Sequence, residues 1–397
     1  MRPLTAELLP TQLRPVVRLT LAAMHDCLIL GGGVVGLSLA YELAGHGLTV
    51  QVIDRGAIGR ESSWAGAGMI PPVDKSPNAS PVDQFTTAAN ELHKHWALEL
   101  REQTGIDNGY RRCGGIYLLT GREGPADAAR QVTQWRAGAI AVEELDARRL
   151  AEIEPQLQVL DEPCGAYLLP DEAQIRNPWH MRAVLAGCLA RGVVVHPGVE
   201  AEDFLLRGDR VEAVRTTLGE LRAGAYCIAG GAWSHALAAR LGLNVPVRPI
   251  RGQIVLLAMD RTPCQRIINV SLRYLVPRGD GRVLIGSTLE NVGFDKSTTA
   301  AAVAELLDFG QALVPTLRQA RFEQAWAGLR PGSPDGQPFL GPVPGLKNIW
   351  LAAGHFRHGL QLSTSTALAV GRMMRGEQSG FDMTPFQVER SFATHGG

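Results

Sequence analysis

The residues with the clearest chemical potential stand near the start of the chain. Gly31-Gly32-Gly33-Val34-Val35-Gly36 has the form G-x-G-x-x-G. It follows a short apolar run, Cys27-Leu28-Ile29-Leu30, and opens a stretch to Ala44 with Val35, Leu39 and Leu43 on one helical face. The spacing predicts a buried parallel strand, a tight turn and a helix. Gly31 permits the turn, Gly33 lets backbone approach a pyrophosphate, and Gly36 lets helix and strand pack closely. The helix start at Val34 and Val35 offers unpaired N–H groups and a positive dipole end to phosphate. A second strand, Leu48 to Ile53, runs into Asp54 and Arg55. The acid is placed to accept hydrogen bonds from a ribose hydroxyl. A dinucleotide satisfies the whole set.

The elements that follow decide which dinucleotide. A nicotinamide domain would continue with alternating strands and helices. Here Arg60 to Pro72 is instead a run of small residues, with Ser62, Ser63, Ala67, Gly68 and Met69, suited to backbone passing close to a bulky planar ligand such as a flavin. Gln84 to Thr104 reads as an amphipathic helix, Gly114 to Leu119 as a strand, Asp146 to Glu154 as a helix and Cys164 to Pro170 as a strand. A helix over 177–191 has Asn177 as cap and Pro178 in its first turn. The strand Val193 to His196 follows, with Val199 in the turn beyond it. Val211 to Thr217, Leu221 to Ala223 and the glycine-ended run Tyr226 to Trp233 read as a late return of the nucleotide-binding fold. Between them and the C-terminus, Arg251 to Leu257, Ser271 to Pro277 and Arg282 to Ser287, with a hairpin signal at Gly279-Asp280-Gly281, predict an antiparallel sheet. A helix from Thr298 to Ala312 leaves it. The two domains are therefore expected to interleave.

Composition narrows the class. The chain has 397 residues, 45% hydrophobic and 20% charged, with formal net charge zero. That balance disfavours a nucleic-acid partner, which would want a basic face. Six cysteines form no C-x-x-C pair and have no metal-ligand spacing with histidine, so no metal is expected. No apolar run reaches the ~18 residues of a membrane span. These features fit a cytoplasmic protein with free thiols. Met1 to Ala23 carries three arginines and no continuous apolar core. The strand begins just after Met24, which suggests Met24 as the natural start and 1–23 as an extension. A short targeting arm is the alternative.

Four motifs carry a resemblance. Ser62-Ser63-Trp64-Ala65-Gly66-Ala67-Gly68-Met69, Asp171-Glu172-Ala173-Gln174, Trp326-Ala327-Gly328-Leu329-Arg330-Pro331-Gly332 and Ala353-Gly354-His355-Phe356-Arg357-His358-Gly359 together resemble the bacterial glycine oxidases of thiamine biosynthesis, within the D-amino acid oxidase and sarcosine oxidase superfamily. The resemblance covers roughly Met24 to Met374. It implies a mixed α/β, GR2-type flavoprotein fold. An FAD domain would come from 24–108, 166–245 and 325–380, and an antiparallel-sheet substrate domain from 109–165 and 246–324. It implies oxidation of glycine, sarcosine or D-amino acids to imines, with O2 reduced to hydrogen peroxide. It further implies hand-off of the glycine imine for thiazole formation, and leaves room for a homo-oligomer.

The same resemblance assigns roles. Arg330 would grip the substrate carboxylate, a task for which a guanidinium fork is better shaped than a lysine. Tyr274 would reach the same carboxylate through its hydroxyl, and Arg357 would lie near substrate and flavin edge. His355, Phe356, His358, Gly359, Leu360 and Gln361 would pass the flavin. His355 and His358 would orient rather than act as bases, since hydride can leave directly from a neutral amine. Two departures stand out. Leu272 replaces a family histidine and Leu289 a family methionine, which touches substrate preference and not reaction class. The last cysteine is Cys264, so FAD is expected to be non-covalent. The competing enzyme readings are a D-amino acid dehydrogenase and a subunit of a cyanide-forming glycine dehydrogenase, which pass electrons to another acceptor. A flavin-binding scaffold without turnover is the non-enzymatic reading, and the presence of both Arg330 and Tyr274 argues against it.

Overall fold

The computed structural model describes residues 24–119, 125–158 and 165–390. The expected extension over 1–23 and Cys164 lie outside the described residues. A six-stranded sheet carries the glycine turn. Its order is Phe339–Pro342, Ile349–Ala353, Ala223–Ile228, His25–Leu30, Val50–Asp54, Val194–Pro197. Every neighbouring pair is parallel except the first. His25–Leu30 is central, and its apolar run serves both faces. Cys27 and Ile29 pack with Leu37, Tyr41 and Phe85, while Leu28 and Leu30 pack with Phe204, Tyr226 and Phe339. Full burial of each such leucine or isoleucine contributes ~1.5–3 kcal/mol. This is why the strand reads as a continuous apolar stretch without alternation.

Helices Val34–Gly45, Pro81–Thr104, Asn177–Ala190 and Ser363–Met374 cover the first of these faces. The long helix starts at Pro81, three residues before the expected Gln84, because Ser80 caps it. The Ser80 hydroxyl accepts from the Asp83 N–H at 3.1 Å, and Gly105 in the left-handed conformation ends it. The expected cap at Asn177 is corrected. Arg176 holds the cap position without a side-chain capping bond, and the Asn177 amide turns away to donate to the Ser63 carbonyl at 2.7 Å.

The other face is covered by a three-stranded antiparallel sheet, Ala201–Arg207, Arg210–Thr216 and Gly219–Leu221. The strands expected over 211–217 and 221–223 belong largely here. Only Ala223–Ile228 joins the parallel sheet. Hydrophobic alternation marks a strand but does not choose its partner.

The eight-stranded sheet has the order Arg321–Gly332, Arg248–Ala258, Arg282–Gly286, Arg273–Pro277, Ile267–Val270, Gly115–Leu119, Gly165–Leu169, Glu143–Leu145. It is antiparallel except between Ile267–Val270 and Gly115–Leu119. Two expected segment boundaries move. Gly165–Leu169 pairs with Gly115–Leu119, and Arg321–Gly332 pairs along its length with Arg248–Ala258. Both strands therefore lie in the antiparallel sheet, although segments starting at 166 and 325 were expected to serve the cofactor fold. Helix Ala300–Leu313, capped by Thr299, packs Leu306 and Leu313 onto the far face with Ile116, Val255 and Ile285. Helix Pro125–Ala137 has no counterpart in the sequence reading. Among the described residues, no helix is long and apolar enough to cross a membrane.

Candidate active site

A continuous cleft of about 990 Å³ runs between the parallel and antiparallel sheets. Gly31, Gly33, Val34, Val35, Asp54 and Arg55 line one stretch, and Ser62, Ser63, Ala67, Gly68, Met69 and Val199 the next. His355, Phe356, Arg357, Gly359, Leu360 and Gln361 form the far end, beside Tyr274 and Arg330. His358, expected to pass the flavin, is not part of the lining, and neither is Gly36, whose expected role is helix–strand packing.

The turn is held from both sides. Gly31 has φ +123°, and a Cβ there would fall 2.3 Å from the Ala229 carbonyl oxygen. A Cβ on Gly36 would fall 2.0 Å from the Gly31 carbonyl oxygen, so Gly36 serves packing, as its place under the turn requires. A Cβ on Gly33 would meet, among the described residues, only Ser63 Oγ at 3.1 Å, leaving that backbone open to the cleft. Asp54 does more than wait for a ribose. Its two carboxylate oxygens accept from the N–H groups of Gly32 and Gly56, each at 2.8 Å, bracing the turn. The helix N-terminus is tied in as well, with Val34 N–H donating to Ser63 Oγ at 2.9 Å. Among the described residues, the N–H groups of Gly33, Val35 and Gly36 have no acceptor.

The small-residue loop is not wholly irregular. Ser62–Ala65 forms one helical turn, and Met69–Ile70 pairs with Ala173–Gln174. Gly68 has φ +76°, with the Ile175 carbonyl oxygen 1.9 Å from where a Cβ would be. A buried arginine fixes this segment. Arg278 donates from Nη2 to the Ala67 carbonyl at 2.6 Å and from Nη1 to Gln174 Oε1 at 2.6 Å. Burial pulls its guanidinium down to about 9, which still leaves it charged near neutrality.

Across the cleft, the antiparallel sheet presents Arg330 and Tyr274. Arg330 Nη2 donates to Ser287 Oγ at 2.7 Å, and Nη1 to the Thr288 carbonyl at 3.1 Å. Two glycines make room for this pair. A Cβ on Gly252 would lie 2.1 Å from Arg330 Nη1, and one on Gly286 would lie 2.6 Å from the Tyr274 ring and hydroxyl. Burial lowers the Arg330 guanidinium from its usual range. The Tyr274 hydroxyl acts against that shift and Arg357 adds to it. Among the described residues, no acidic side chain forms an ion pair with Arg330 or Arg357. Arg251 is different. It is buried one register position away and engages Glu290 and Asp295.

The last wall is the segment after Ala353. Phe356 takes φ +45° and donates its N–H to the Pro331 carbonyl at 2.9 Å, tying the segment to the Arg330 strand. His355 is buried, and its Nε2 lies 3.1 Å from Thr366 Oγ1. Burial depresses its basicity to about 3, so the ring stays neutral at physiological pH. Beyond it, the N–H groups of Gly359, Leu360 and Gln361 have no acceptor among the described residues.

Unpaired N–H groups thus stand at both ends of a long cleft, with backbone passing close between them. This fits an extended dinucleotide with a planar, hydrogen-bond-accepting head. The family described as FAD dependent oxidoreductase matches residues 26–373. The chain belongs to that family. This oxidoreductase is 34% identical over 360 residues to glycine oxidase of Pseudomonas aeruginosa, covering 90% of this chain and 97% of the relative. It is 31% identical to the bifunctional protein ThiO/ThiG of Synechocystis, covering 93% of this chain and 54% of that one. To the hydrogen cyanide synthase subunit HcnC of Pseudomonas aeruginosa it is 33% identical, covering 92% and 96%. Among solved structures, glycine oxidase from Geobacillus kaustophilus superimposes with a TM-score of 0.88 at 33% identity, covering 93% of this chain and all of that one. The oxidoreductase thus has the mixed α/β fold of these flavoproteins and uses FAD.

Some functional features escaped the sequence. Leu272 and Leu289, expected to bear on substrate preference, are 54% and 51% exposed and outside the cleft lining. They replace residues at positions that face solvent in this oxidoreductase. Arg278, Gly252 and Gly286 were not singled out. Arg278 stood in the same run as Tyr274, and only its burial reveals its task. None of the described cysteines lines the cleft, and among the described residues no cluster could hold a metal ion.

Proposed function

We propose that this oxidoreductase oxidises glycine, and other small amines such as sarcosine or D-amino acids, to the imine with O2 reduced to hydrogen peroxide. The observation that carries the reading is Arg330, a guanidinium facing the cleft beside Tyr274 with no acidic partner among the described residues. An arginine so placed favours an anionic ligand, and a carboxylate can meet it with two parallel hydrogen bonds. The Tyr274 hydroxyl is close enough to share that carboxylate, and Arg357 adds positive charge to the same space. Ser287 and Thr288 hold the guanidinium from behind, so little ordering remains when substrate arrives. Bound FAD would supply the hydride acceptor, with dioxygen as the final oxidant. The residues around it need only fix the α-carbon and exclude water. His355 is neutral and engaged with Thr366, so it is not offered as a base.

The FAD site would comprise the turn at Gly31 to Gly36, the loop Ser62 to Met69, and the segment His355 to Gln361. Transfer of the imine towards thiazole formation belongs to the same proposal and is supported by the ThiO/ThiG relative. Likeness to the cyanide synthase subunit keeps electron transfer to another acceptor as a second reading. Oxygen uptake and peroxide release with glycine, sarcosine, D-alanine and D-proline separate the two. Turnover with an artificial dye but none with oxygen would select the dehydrogenase. Absence of flavin bleaching by any of the four under anaerobic conditions would reject both.

A further inference from the structure

Two fully buried histidines lie behind the flavin-facing segment, and no part of the proposed chemistry uses them. His93 comes from the long helix Pro81–Thr104, and His180 from Asn177–Ala190. Their ring centroids are 5.7 Å apart. His93 Nε2 lies 2.9 Å from the Leu360 carbonyl oxygen and 3.0 Å from that of Gln361. Carbonyl oxygens only accept, so Nε2 must carry the proton and Nδ1 a bare lone pair. Asn108 settles the other ring. Its Oδ1 accepts from Tyr110 N–H at 3.0 Å, which leaves its Nδ2 to donate to His180 Nδ1 at 3.3 Å. His180 Nε2 therefore bears its proton. His93 Nδ1 and His180 Nε2 both lack partners, one a lone pair and the other an N–H. Burial depresses both rings, to about 4 for His93 and about 3 for His180, so both are neutral across the working range.

The His93 bond shares a peptide that matters. The Leu360 carbonyl also accepts from Ser363 Oγ at 2.8 Å and from Ser363 N–H at 3.2 Å. Among the described residues, His93 alone reaches across from another helix to it and to the Gln361 carbonyl. A trans peptide points its N–H opposite its carbonyl. With the Leu360 carbonyl drawn back to His93, the Gln361 N–H points away from His93, on the side where Leu360 and Gln361 line the cleft. The same helix face holds the neighbouring groups. Asn90, one turn before His93, accepts from Gln361 Nε2 at 3.0 Å, and its own Nδ2 donates to the Pro71 carbonyl at 3.0 Å. The helix thus grips the cleft wall at both Pro71 and Gln361.

We infer that His93 is a positioning residue for the cofactor, its neutral Nε2–H fixing the Leu360–Gln361 peptide so that the unpaired N–H groups of this segment meet the flavin head. His180 backs it with a second neutral ring. The inference rests on FAD binding and not on glycine as substrate.

The test compares His93→Leu, which keeps volume and removes the donor, with His93→Gln, whose amide N–H can replace Nε2–H. Three quantities are read on each purified variant: FAD affinity by titrating apoprotein, the visible absorption band positions of bound FAD, and its midpoint potential. His93→Leu is expected to bind FAD roughly five- to tenfold more weakly, the loss of about one buried hydrogen bond. Its absorption bands shift and its potential falls, because dipoles that favour negative charge on the flavin are no longer aimed. His93→Gln recovers all three. The KM for the turned-over amine stays near that of the parent, since Arg330 and Tyr274 are untouched. Equal defects in both variants would reduce His93 to packing and overturn the inference. So would unchanged spectra and potential in His93→Leu. If His93→Leu does not accumulate, His93→Asn serves, because its shorter amide falls short of the two carbonyls. Recovery by glutamine but not asparagine supports the role, and identical behaviour overturns it. A failure of glycine to react would leave all three readouts intact and would count only against the substrate proposal.

Discussion

Gly252 and Arg330 occupy one space: the guanidinium lies where a side chain at 252 would begin, with Nη1 2.1 Å from the position of the missing Cβ. The two strands that carry them are adjacent in the sheet, and Gly252 pairs with Gly328, two residues before the arginine. Because the displaced atoms are the end of a flexible side chain, Gly252→Ala should move the guanidinium and spare the fold. The expected outcome is flavin content equal to the parent and a kcat/KM for glycine lower by ~10–100-fold, equivalent to ~1.4–2.7 kcal/mol of lost alignment. Steady-state kinetics with a flavin absorbance check decide it. Unaltered kinetics would remove Arg330 from the substrate site.

Arg330→Lys probes the same handle with charge preserved. A lysine keeps attraction and loses the two-pronged geometry. Its KM for glycine should rise about tenfold or more, as expected for a weakened charged hydrogen bond worth ~1.5–3 kcal/mol. Arg330→Ala should remain yellow and lose most turnover. Competitive inhibition by a simple carboxylate such as acetate should weaken in parallel. An acetate inhibition constant unaffected in both variants would show that the anion binds elsewhere.

The two ends of the glycine turn should fail in different ways. Gly36→Ala drives a Cβ against the Gly31 backbone at 2.0 Å, which no rotamer change relieves, so the apoprotein itself should be destabilised. Gly33→Val meets only the Ser63 hydroxyl and should leave the apoprotein folded while blocking the pyrophosphate approach. Thermal melting of apoprotein and FAD titration separate these outcomes. A Gly33→Val protein that purifies yellow would count against the turn as the phosphate site.

Glu172 gives a pH prediction. Burial lifts its carboxyl to about 7, against hydrogen bonds from Tyr117 and Asn269 that favour its charged form. In the unfolded chain it titrates near ~4.3. The native state therefore binds more protons between these values. The stability from this group is fully present below the unfolded value and is lost as pH rises towards 7, by on the order of 3 kcal/mol. Glu172→Gln, which mimics the protonated acid, should flatten the stability profile between pH 5 and 8 and be the more stable protein at pH 8. Denaturant melts at both pH values test this, and parallel profiles for parent and variant would contradict it.

How much of this was legible depends on whether a feature is local. The turn Gly31 to Gly36 could be read because its strand, helix and acid lie within one short window. Arg330 and Tyr274 could be named only through motif resemblance, since nothing near Arg330 in sequence says that it is unpaired. Gly252 and Gly286 were invisible for the same reason: the side chains they accommodate lie on other strands. The segments starting at 166 and 325 were expected in the FAD domain, yet Gly165–Leu169 and Arg321–Gly332 pair within the antiparallel sheet, because a strand's sequence does not name its partner. Leu272 was matched by position to a family histidine and Leu289 to a family methionine, and only the fold shows that both face solvent. The Asn177 cap failed because the helix already includes Asn177: among the described residues its Oδ1 accepts from no N–H, and its Nδ2 donates to the Ser63 carbonyl, 114 residues away.

The parallel sheet also has a consequence for how the chain is made. Its central strand, His25–Leu30, lies beside Ala223–Ile228, which in turn lies beside Ile349–Ala353. The residues that would grip phosphate leave the ribosome early, while the wall that would meet the flavin head emerges more than three hundred residues later. A growing chain must therefore keep apolar strand edges unpaired through most of its synthesis. Such long-range pairing slows folding and leaves intermediates open to aggregation. FAD arriving during that interval would find half of the proposed site, so cofactor capture is expected to close and latch a nearly finished protein.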